Sequence, residues 1–336
     1  MKATSAAQLE AGRRGVVPPL EQIRPTIWAL PLSMPSSDLR YVISYLVMDT
    51  DRAIHVIDAG WDSDENWVTV LHALKAIGAG ISDVRSVTLT HLHRDHVGMT
   101  HRYLGATSAR VAMSRVDHTT ARSELAAKES PTAWLARAEE RSTLMAEWGV
   151  PEAVAADLGS AAIAEVEITA IEADVLLDDG DELAIPGIDV RVVTTPGHTG
   201  GSICLALEDD KLLFTGDHLL PAQFPGVGLG GPVEGNPISD YLLSLEKLAP
   251  FDRFEALPGH GYRFEGIAER RVGTQQHHFK RTRDAVEILA SDPQATVWQI
   301  ASRLRWSAGW KNLTGRHLWS ALSQTAWHRE RALGER

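Results

Sequence analysis

Four histidine and aspartate side chains within six residues constrain this chain more than any other feature of its sequence. His91, His93, Asp95 and His96 directly follow residues 84–90, an apolar run that predicts a buried strand. Neutral imidazole and carboxylate groups are ligands that Zn²⁺, Fe²⁺ and Mn²⁺ accept in proteins. Because α/β folds place their chemistry at the carboxyl ends of strands, we predict a metal site at this strand end.

Three further candidate ligands occupy the same kind of position, the exit of a predicted strand. They are His198, Asp217 and His260, and a glycine directly precedes each of them. Glycine permits the close backbone approach that a packed metal site requires. Together with the first cluster, these residues supply enough ligands for two metal ions.

The arrangement of the apolar runs predicts the fold class. Paired β-like runs are separated by turn compositions such as 49–51 and 178–180, and an amphipathic helix is predicted over 63–77. Because such hairpins alternate with helices, we predict a layered α/β sandwich rather than one parallel sheet.

Composition divides the chain further around a central domain, residues 25–265. Residues 1–24 are predicted to form an N-terminal arm, since no apolar run follows the twin arginines that would suggest an export signal. Residues 114–170 predict a helical insertion, either a hairpin that packs its own apolar side or a lid over the site. Residues 266–336 lack strand patterns and predict a small C-terminal helical domain.

Charge and cysteine content restrict the partners and the environment that we expect. Lysine and arginine number 33 against 44 aspartates and glutamates, a net charge of −11 that makes nucleic acid an unfavourable partner. The single cysteine, Cys204, allows no intrachain disulfide, and we expect a cytoplasmic protein. No apolar run approaches the ~20 residues of a transmembrane helix, so we expect no membrane association.

The motifs resemble those of a known family. Residues 90–98, Thr-His-Leu-His-Arg-Asp-His-Val-Gly, resemble the signature of the metallo-β-lactamase superfamily. Residues 196–202, 216–217 and 258–261 resemble its later motifs in the same order. The resemblance implies an αββα sandwich with its site at one edge of the two sheets. It is greatest for the lactamase-B-like hydrolases that carry a C-terminal helical or winged-helix domain.

The resemblance also implies a role for each candidate ligand. The first metal ion would be held by His91, His93 and His198, the second by Asp95, His96 and His260, with Asp217 as the bridge. Asp58 matches an aspartate that supports a ligand through a hydrogen bond. The expected cofactors are two divalent ions, zinc first, with iron or manganese as alternatives.

The expected chemistry follows from the charge of such a site. Two divalent ions bring a charge of +4 against −2 from Asp95 and Asp217, so a shared water loses its proton readily. We expect the resulting hydroxide to attack a carbonyl-type bond, with Asp95 as the catalytic group that transfers the proton.

Several substrate classes remain open. A thioester or ester such as an acyl-CoA is the leading one, and an acyl-homoserine lactone or single-stranded RNA are the alternatives. A metal-bearing regulatory or binding protein is the alternative without catalysis. Candidate substrate contacts are Phe224, Tyr262, Trp134 and Trp148. We also expect that the C-terminal or inserted helices can form a homodimer.

Overall fold

Two β-sheets packed face to face form the centre of the protein in the computed structural model, which describes residues 1–35, 39–165, 171–231 and 235–334. The strands are β1 (Lys2–Ala3), β2 (Glu21–Arg24), β3 (Ile27–Ser33), β4 (Tyr41–Met48), β5 (Ile54–Ile57), β6 (Val84–Thr88), β7 (Arg110–Ser114), β8 (Val175–Leu177), β9 (Arg191–Thr194), β10 (Ile203–Leu207), β11 (Leu212–Gly216), β12 (Glu255–Pro258) and β13 (Phe264–Glu265). One sheet has the order β2-β3-β4-β5-β6-β7-β8, and the other has the order β1-β13-β12-β11-β10-β9.

Helices cover the outer faces of both sheets and form the insertion and the C-terminal part. They are α1 (Ala6–Arg14), α2 (Asp64–Ala76), α3 (Arg94–Val97), α4 (Thr100–Ala106), α5 (Arg115–Glu129), α6 (Pro131–Glu147), α7 (Glu152–Glu165), α8 (Pro237–Lys247), α9 (Ile267–Ser291), α10 (Val297–Arg303) and α11 (Gly315–Gly334).

Strand β4 shows why the sheets form the middle layers, because all eight of its residues are buried. Ile43 and Val47 point into the apolar layer between the sheets, where they meet side chains of the opposite sheet such as Phe214. Val42 and Leu46 point to the other face, where α2 and α4 cover the sheet. Helix α8 covers the outer face of the second sheet in the same way. The layered α/β sandwich predicted from the sequence is therefore confirmed.

Residues 1–24, predicted as an arm, instead contribute one strand to each sheet. β1 pairs with β13 in one sheet, and β2 pairs with β3 in the other. Arg263, which is buried, forms ion pairs with both Glu21 of β2 and Glu255 of β12. The pairing of β1 and the ion pair with Glu21 join residues more than 200 positions apart, so the local sequence pattern carries no sign of them.

The helical insertion and the C-terminal helices pack on one another. Helices α5 to α7 lie between β7 and β8, and Met145, Trp148 and Leu158 from this insertion share one apolar cluster with Leu318 and Leu322 of α11. The rings of Trp148 and Trp319 lie 5.4 Å apart. In residues 266–334, the segment described after β13, no strand is present, so this part is helical and not a winged helix.

Trp148→Ala tests this packing. Trp148 is buried between the insertion and the C-terminal helices, so its truncation should lower the free energy of unfolding by about 3–5 kcal/mol. Leu135→Ala on α6 is the matched control, because Leu135 is 67% exposed and its loss should change stability by less than about 0.5 kcal/mol. Urea unfolding followed by circular dichroism measures both; equal effects would contradict the shared packing.

Candidate metal centre

The seven candidate ligands come together at one edge of the sandwich because of how the strands are paired. β5 and β6 are parallel neighbours, and so are β11 and β12, so the chain leaves each pair at the same end. Hydrogen bonds join the two sheets at this edge: Ile43 N donates to Gly259 O at 2.7 Å, and Ile203 N donates to Thr90 O at 2.9 Å. The loops that follow β6, β11 and β12 therefore converge.

His91, His93 and His198 form the first group of ligand atoms. Nδ1 of His93 lies 3.0 Å from Nε2 of His91 and 3.0 Å from Nε2 of His198. Nδ1 of His198 donates to Gly226 O at 2.7 Å, so Nε2 of the neutral ring presents a lone pair to the centre. Burial lowers the pKa of all three histidines, that of His93 to about 3. Three neutral imidazoles that face one point are suited to a divalent cation.

Asp95, His96 and His260 form the second group, and Asp217 lies between the two groups. Oδ2 of Asp95 is 3.0 Å from Nε2 of His260 and 3.7 Å from Nε2 of His96. One oxygen of Asp217 is 3.5 Å from Nε2 of His96, and the other is 3.4 Å from Nε2 of His260 and 3.7 Å from Nε2 of His198. Asp217 thus contacts both groups, as a bridging carboxylate would.

Hydrogen bonds to the outer nitrogen atoms orient the histidines of the second group. Nδ1 of His96 lies 2.7 Å from Oδ2 of Asp58, and Nδ1 of His260 lies 2.8 Å from Tyr41 O. A ring that donates from Nδ1 carries its lone pair on Nε2, the nitrogen that points into the centre. The tautomer that a metal ion requires is therefore set by the protein.

Asp58 has a strained backbone that places its carboxylate. It follows β5 with φ at +62°, a left-handed conformation that non-glycine residues seldom adopt. Its two oxygens accept hydrogen bonds from the backbone N–H of Thr90 at 2.8 Å and from the Thr90 hydroxyl at 2.9 Å, in addition to the contact with His96. Asp58 therefore fixes the strand end from which His91 follows.

Three buried atoms of this centre fit metal ions, because nothing outside the ligand groups satisfies them. Nε2 of His96, Nε2 of His260 and Oδ1 of Asp217 make no hydrogen bond in the described part of the chain beyond the ligand groups, in which the imidazole–carboxylate distances are 3.0–3.7 Å. Leaving a buried polar group unpaired costs about 1–3 kcal/mol, so several together need an explanation. A cation at each group would satisfy these atoms. The backbone also closes tightly around them, because a Cβ on Gly259 would lie 2.6 Å from Cε1 of His96.

The electrostatics of the second group differ from those of the first. Burial alone would lower the pKa of His96 and of His260, but the neighbouring carboxylates raise the pKa of His96 well above its usual value and that of His260 to about 10. Burial alone would raise the pKa of Asp95 and Asp217, but His96 and His260 hold both below their usual values. Without metal, protons on the two histidines therefore balance the carboxylate charge.

Asp117, which the sequence analysis did not single out, joins the insertion to the centre. It is buried near the start of α5, and its Oδ2 accepts from Leu92 N and from the Thr199 hydroxyl, both at 2.9 Å. Its Oδ1 accepts from Gly201 N at 2.8 Å. Burial raises its pKa to about 6 although these hydrogen bonds favour the charged form. The sequence near Asp117 offered one local signal, Ser114, which caps α5 and so marks the start of the helix that carries Asp117.

The four predicted substrate contacts have different surroundings. The ring of Phe224 stacks on His277 at 4.0 Å and is 41% exposed, whereas Tyr262 packs against the apolar cluster under α8. Trp134 lines a cleft in the insertion. Trp148 is buried against the C-terminal helices, where it contributes to an apolar cluster.

Comparison with known proteins identifies the family. The family model described as the metallo-beta-lactamase superfamily matches residues 38–260, about two thirds of the chain. The chain belongs to this superfamily of metal-dependent hydrolases, as the motifs predicted.

Over the described residues, the helices are too short or too polar to cross a membrane.

Individual relatives show how far the similarity extends. A metallo-beta-lactamase family protein from Thermus thermophilus has a similar crystal structure, with a TM-score of 0.74, 25% identity, and coverage of 94% of this chain and 95% of that one. The probable metallo-hydrolase YqjP of Bacillus subtilis is 27% identical over 85% of this chain and 86% of its own. An atrochrysone carboxyl ACP thioesterase of Cryptosporiopsis is 28% identical, but this match covers only 34% of this chain and 33% of the thioesterase.

Among the candidate ligands, only those of the second group should release protons when metal binds. At pH 7 the raised pKa values keep His96 and His260 protonated in the metal-free protein, so filling both groups should release about two protons from these histidines, in addition to the proton lost by a metal-bound water. Affinity at the second group should rise with pH, because a metal ion must displace these protons. Calorimetric titration with zinc, repeated in buffers of different ionisation enthalpy, measures the number of protons released per chain. His260→Gln should lower the number of protons released by about one, and a wild-type value near zero would contradict this charge balance.

Asp117→Ala should destabilise the metal-free protein. The change removes the acceptor of the buried Gly201 N–H and of the half-buried Leu92 N–H, at about 1–3 kcal/mol each, whereas the Thr199 hydroxyl keeps its contact with Ser202 Oγ. We therefore expect the free energy of unfolding to fall by roughly 3 kcal/mol or more in urea titrations. Asp178→Ala is the matched control, since Asp178 pairs with Arg115 at the surface, where solvent screens the ion pair and its loss should leave stability nearly unchanged. If the two variants had the same free energy of unfolding, the role of Asp117 in holding these loops would be excluded.

Proposed function

We propose that this protein is a dinuclear metal-dependent hydrolase that cleaves an acyl thioester. The observation that carries the proposal is the pair of ligand groups with Asp217 between them, 3.7 Å from His198 and 3.4 Å from His260. Two ions bridged in this way are typical of hydrolases that stabilise an attacking and a leaving group together.

The choice of a thioester is supported by two considerations. The fungal ACP thioesterase, to which this chain is similar over part of its length, acts on an acyl thioester, as its name states. In addition, Trp134 of α6 lines a cleft in the insertion, and Phe224, in the loop that follows β11, stacks on His277; such aromatic side chains suit an acyl group better than a phosphodiester. The net charge of −11 also disfavours RNA as the substrate.

In this proposal the chain's own residues have three tasks. His91, His93 and His198 hold one ion, Asp95, His96 and His260 hold the other, and Asp217 contacts both. Asp58 keeps His96 in the tautomer that binds metal, through the 2.7 Å contact with Nδ1. When bound, the ions would supply a water that is deprotonated near neutral pH and would polarise the substrate carbonyl.

Asp95 is the group that we assign to proton transfer. Its side chain is 15% exposed, whereas those of His96 and His260 are 0% and 2% exposed, so Asp95 is the member of its group that substrate can reach. As the carbon–oxygen bond forms, Asp95 would accept the proton that remains on the attacking hydroxide. It would return this proton to the sulfur as the carbon–sulfur bond breaks, which gives a carboxylate and a thiol.

The test compares substrate classes with and without metal. Elemental analysis first measures the metal content of the purified protein, which should approach two ions per chain. The loaded protein is then assayed on acyl-CoA thioesters, an acyl-homoserine lactone and labelled single-stranded RNA, before and after treatment with a chelator. We expect thioesters to be cleaved fastest and the activity to disappear with the metal.

A ligand variant and a matched histidine control make the result specific. His93→Ala should lower kcat/KM by more than the ~100-fold that loss of an outer partner typically costs, and should lower the metal content. His101→Ala should change neither, because His101 is a half-exposed histidine of α4. Faster cleavage of the lactone or of the RNA would overturn the thioester proposal and identify that compound class as the substrate. Metal-loaded protein that cleaves none of the panel would favour the regulatory alternative.

A further inference from the structure

A cleft with apolar walls opens between the three helices of the insertion. It has a volume of about 380 Å³ and lies between α5, α6 and α7. Trp134 and Met145 line it, and the small residues Ala138, Ala155 and Gly159 in its lining leave space instead of filling it. Sites for small molecules have volumes of roughly 300–1,000 Å³ and walls that are mainly apolar. The cleft therefore has the size and lining of a binding site for a small apolar group.

Three of the four charged side chains that line this cleft have partners. Glu124 of α5 and Arg137 of α6 form an ion pair with each other. Arg141 lies 4.9 Å above the ring of Trp319, so its charge is held against the C-terminal helices. The fourth, Glu152, is exposed at the start of α7. A mainly apolar lining of this kind favours a ligand without charge along its length, such as a hydrocarbon chain.

A glycine-rich loop connects the cleft to the metal centre. At one end, a Cβ on Gly231 would lie 2.8 Å from the methyl group of Thr120 and 3.4 Å from the carboxylate of Glu124, so this backbone lies directly against α5 beside the cleft. At the other end, Leu229 N donates to the carbonyl oxygen of His198 at 2.9 Å. Gly230 lies between the two ends and faces Leu92.

The length of helix α5 gives the distance between the loops of the metal centre and the cleft. Asp117 binds the loops that carry the candidate ligands, and Glu124 on the same helix lines the cleft. Seven residues of α-helix at 1.5 Å per residue separate them by about 10 Å. A ligand that occupies both places must therefore have an extended apolar part, longer than an acetyl or propanoyl group.

We propose that this cleft binds the acyl chain of the substrate whose carbonyl group is cleaved at the metal centre. The proposal rests on the proposed function and makes it more specific: the substrate class becomes thioesters of medium or long unbranched acyl chains. The thiol part then remains on the solvent side, where the metal centre is open at Asp95. In this proposal the insertion determines the selectivity for the length of the acyl chain.

Filling the cleft provides the first test. Ala138 and Ala136 are both exposed alanines of α6, and only Ala138 belongs to the cleft lining within the described residues. Ala138→Phe should lower the ratio of kcat/KM for dodecanoyl-CoA to kcat/KM for acetyl-CoA by about tenfold, the loss expected when roughly two methylene groups remain in water. Ala136→Phe should leave this ratio at the wild-type value. Ser142→Phe, also in the lining, replaces Ala138→Phe if thermal unfolding shows that the latter is misfolded.

A binding measurement on the metal-free protein separates this inference from the proposed function. Dansyl-labelled undecanoic acid should bind the wild type and Ala136→Phe with enhanced fluorescence, and should bind Ala138→Phe about tenfold more weakly. If the probe binds in this pattern but no thioester is cleaved, the proposed function fails and the apolar site stands. If thioesters are cleaved with equal ratios in all variants and the probe does not discriminate among them, the proposed function stands and the acyl site is refuted.

Discussion

The concentration of carboxylates and imidazoles at one dry edge of the sandwich is the constraint on which the rest of this structure depends. Asp58 and Asp217 are almost completely buried, and Asp95 stands beside them. Buried charge of one sign is costly unless opposite charge lies next to it. The protein meets this cost with protons on His96 and His260 when metal is absent, and divalent ions would replace those protons. The same side chains therefore determine the fold of the loops and the chemistry of the site.

The position of the insertion depends on this edge as well. Asp117 binds the backbone at Leu92 and Gly201, so the first turn of α5 is attached to the loops that carry the ligands. Between α6 and α7 the insertion is attached to the C-terminal helices through Trp148, whose ring lies beside that of Trp319. The inserted helices are thus held at two places, the first turn of α5 and the end of α6, which gives the cleft between them a defined position relative to the metal centre.

The sequence predicted those parts of the site whose signals are local, such as the histidines at 91, 93 and 96 that follow one strand. Asp117 could not be predicted, because its partners at 92, 199 and 201 meet it only in the folded chain. The two-residue strand β1 was missed for the same reason, since its partner β13 lies more than 250 positions away. For Trp148, the helical pattern of the sequence does not separate a ligand contact from packing, and the neighbour of its ring, Trp319, is brought there only by the folded chain.

The difference in protonation between the two ligand groups has a consequence for how the centre fills. The first group consists of three imidazoles whose pKa values are lowered, so near neutral pH a metal ion meets lone pairs and no competing protons. The second group holds its protons until a cation of higher charge displaces them, because Asp95 and Asp217 stabilise positive charge of either kind. Under the proposed function, occupation of the second group is therefore the step that acid opposes. Since that group contains Asp95, the residue to which we assign proton transfer would be held by a metal ion only when the second ion is present.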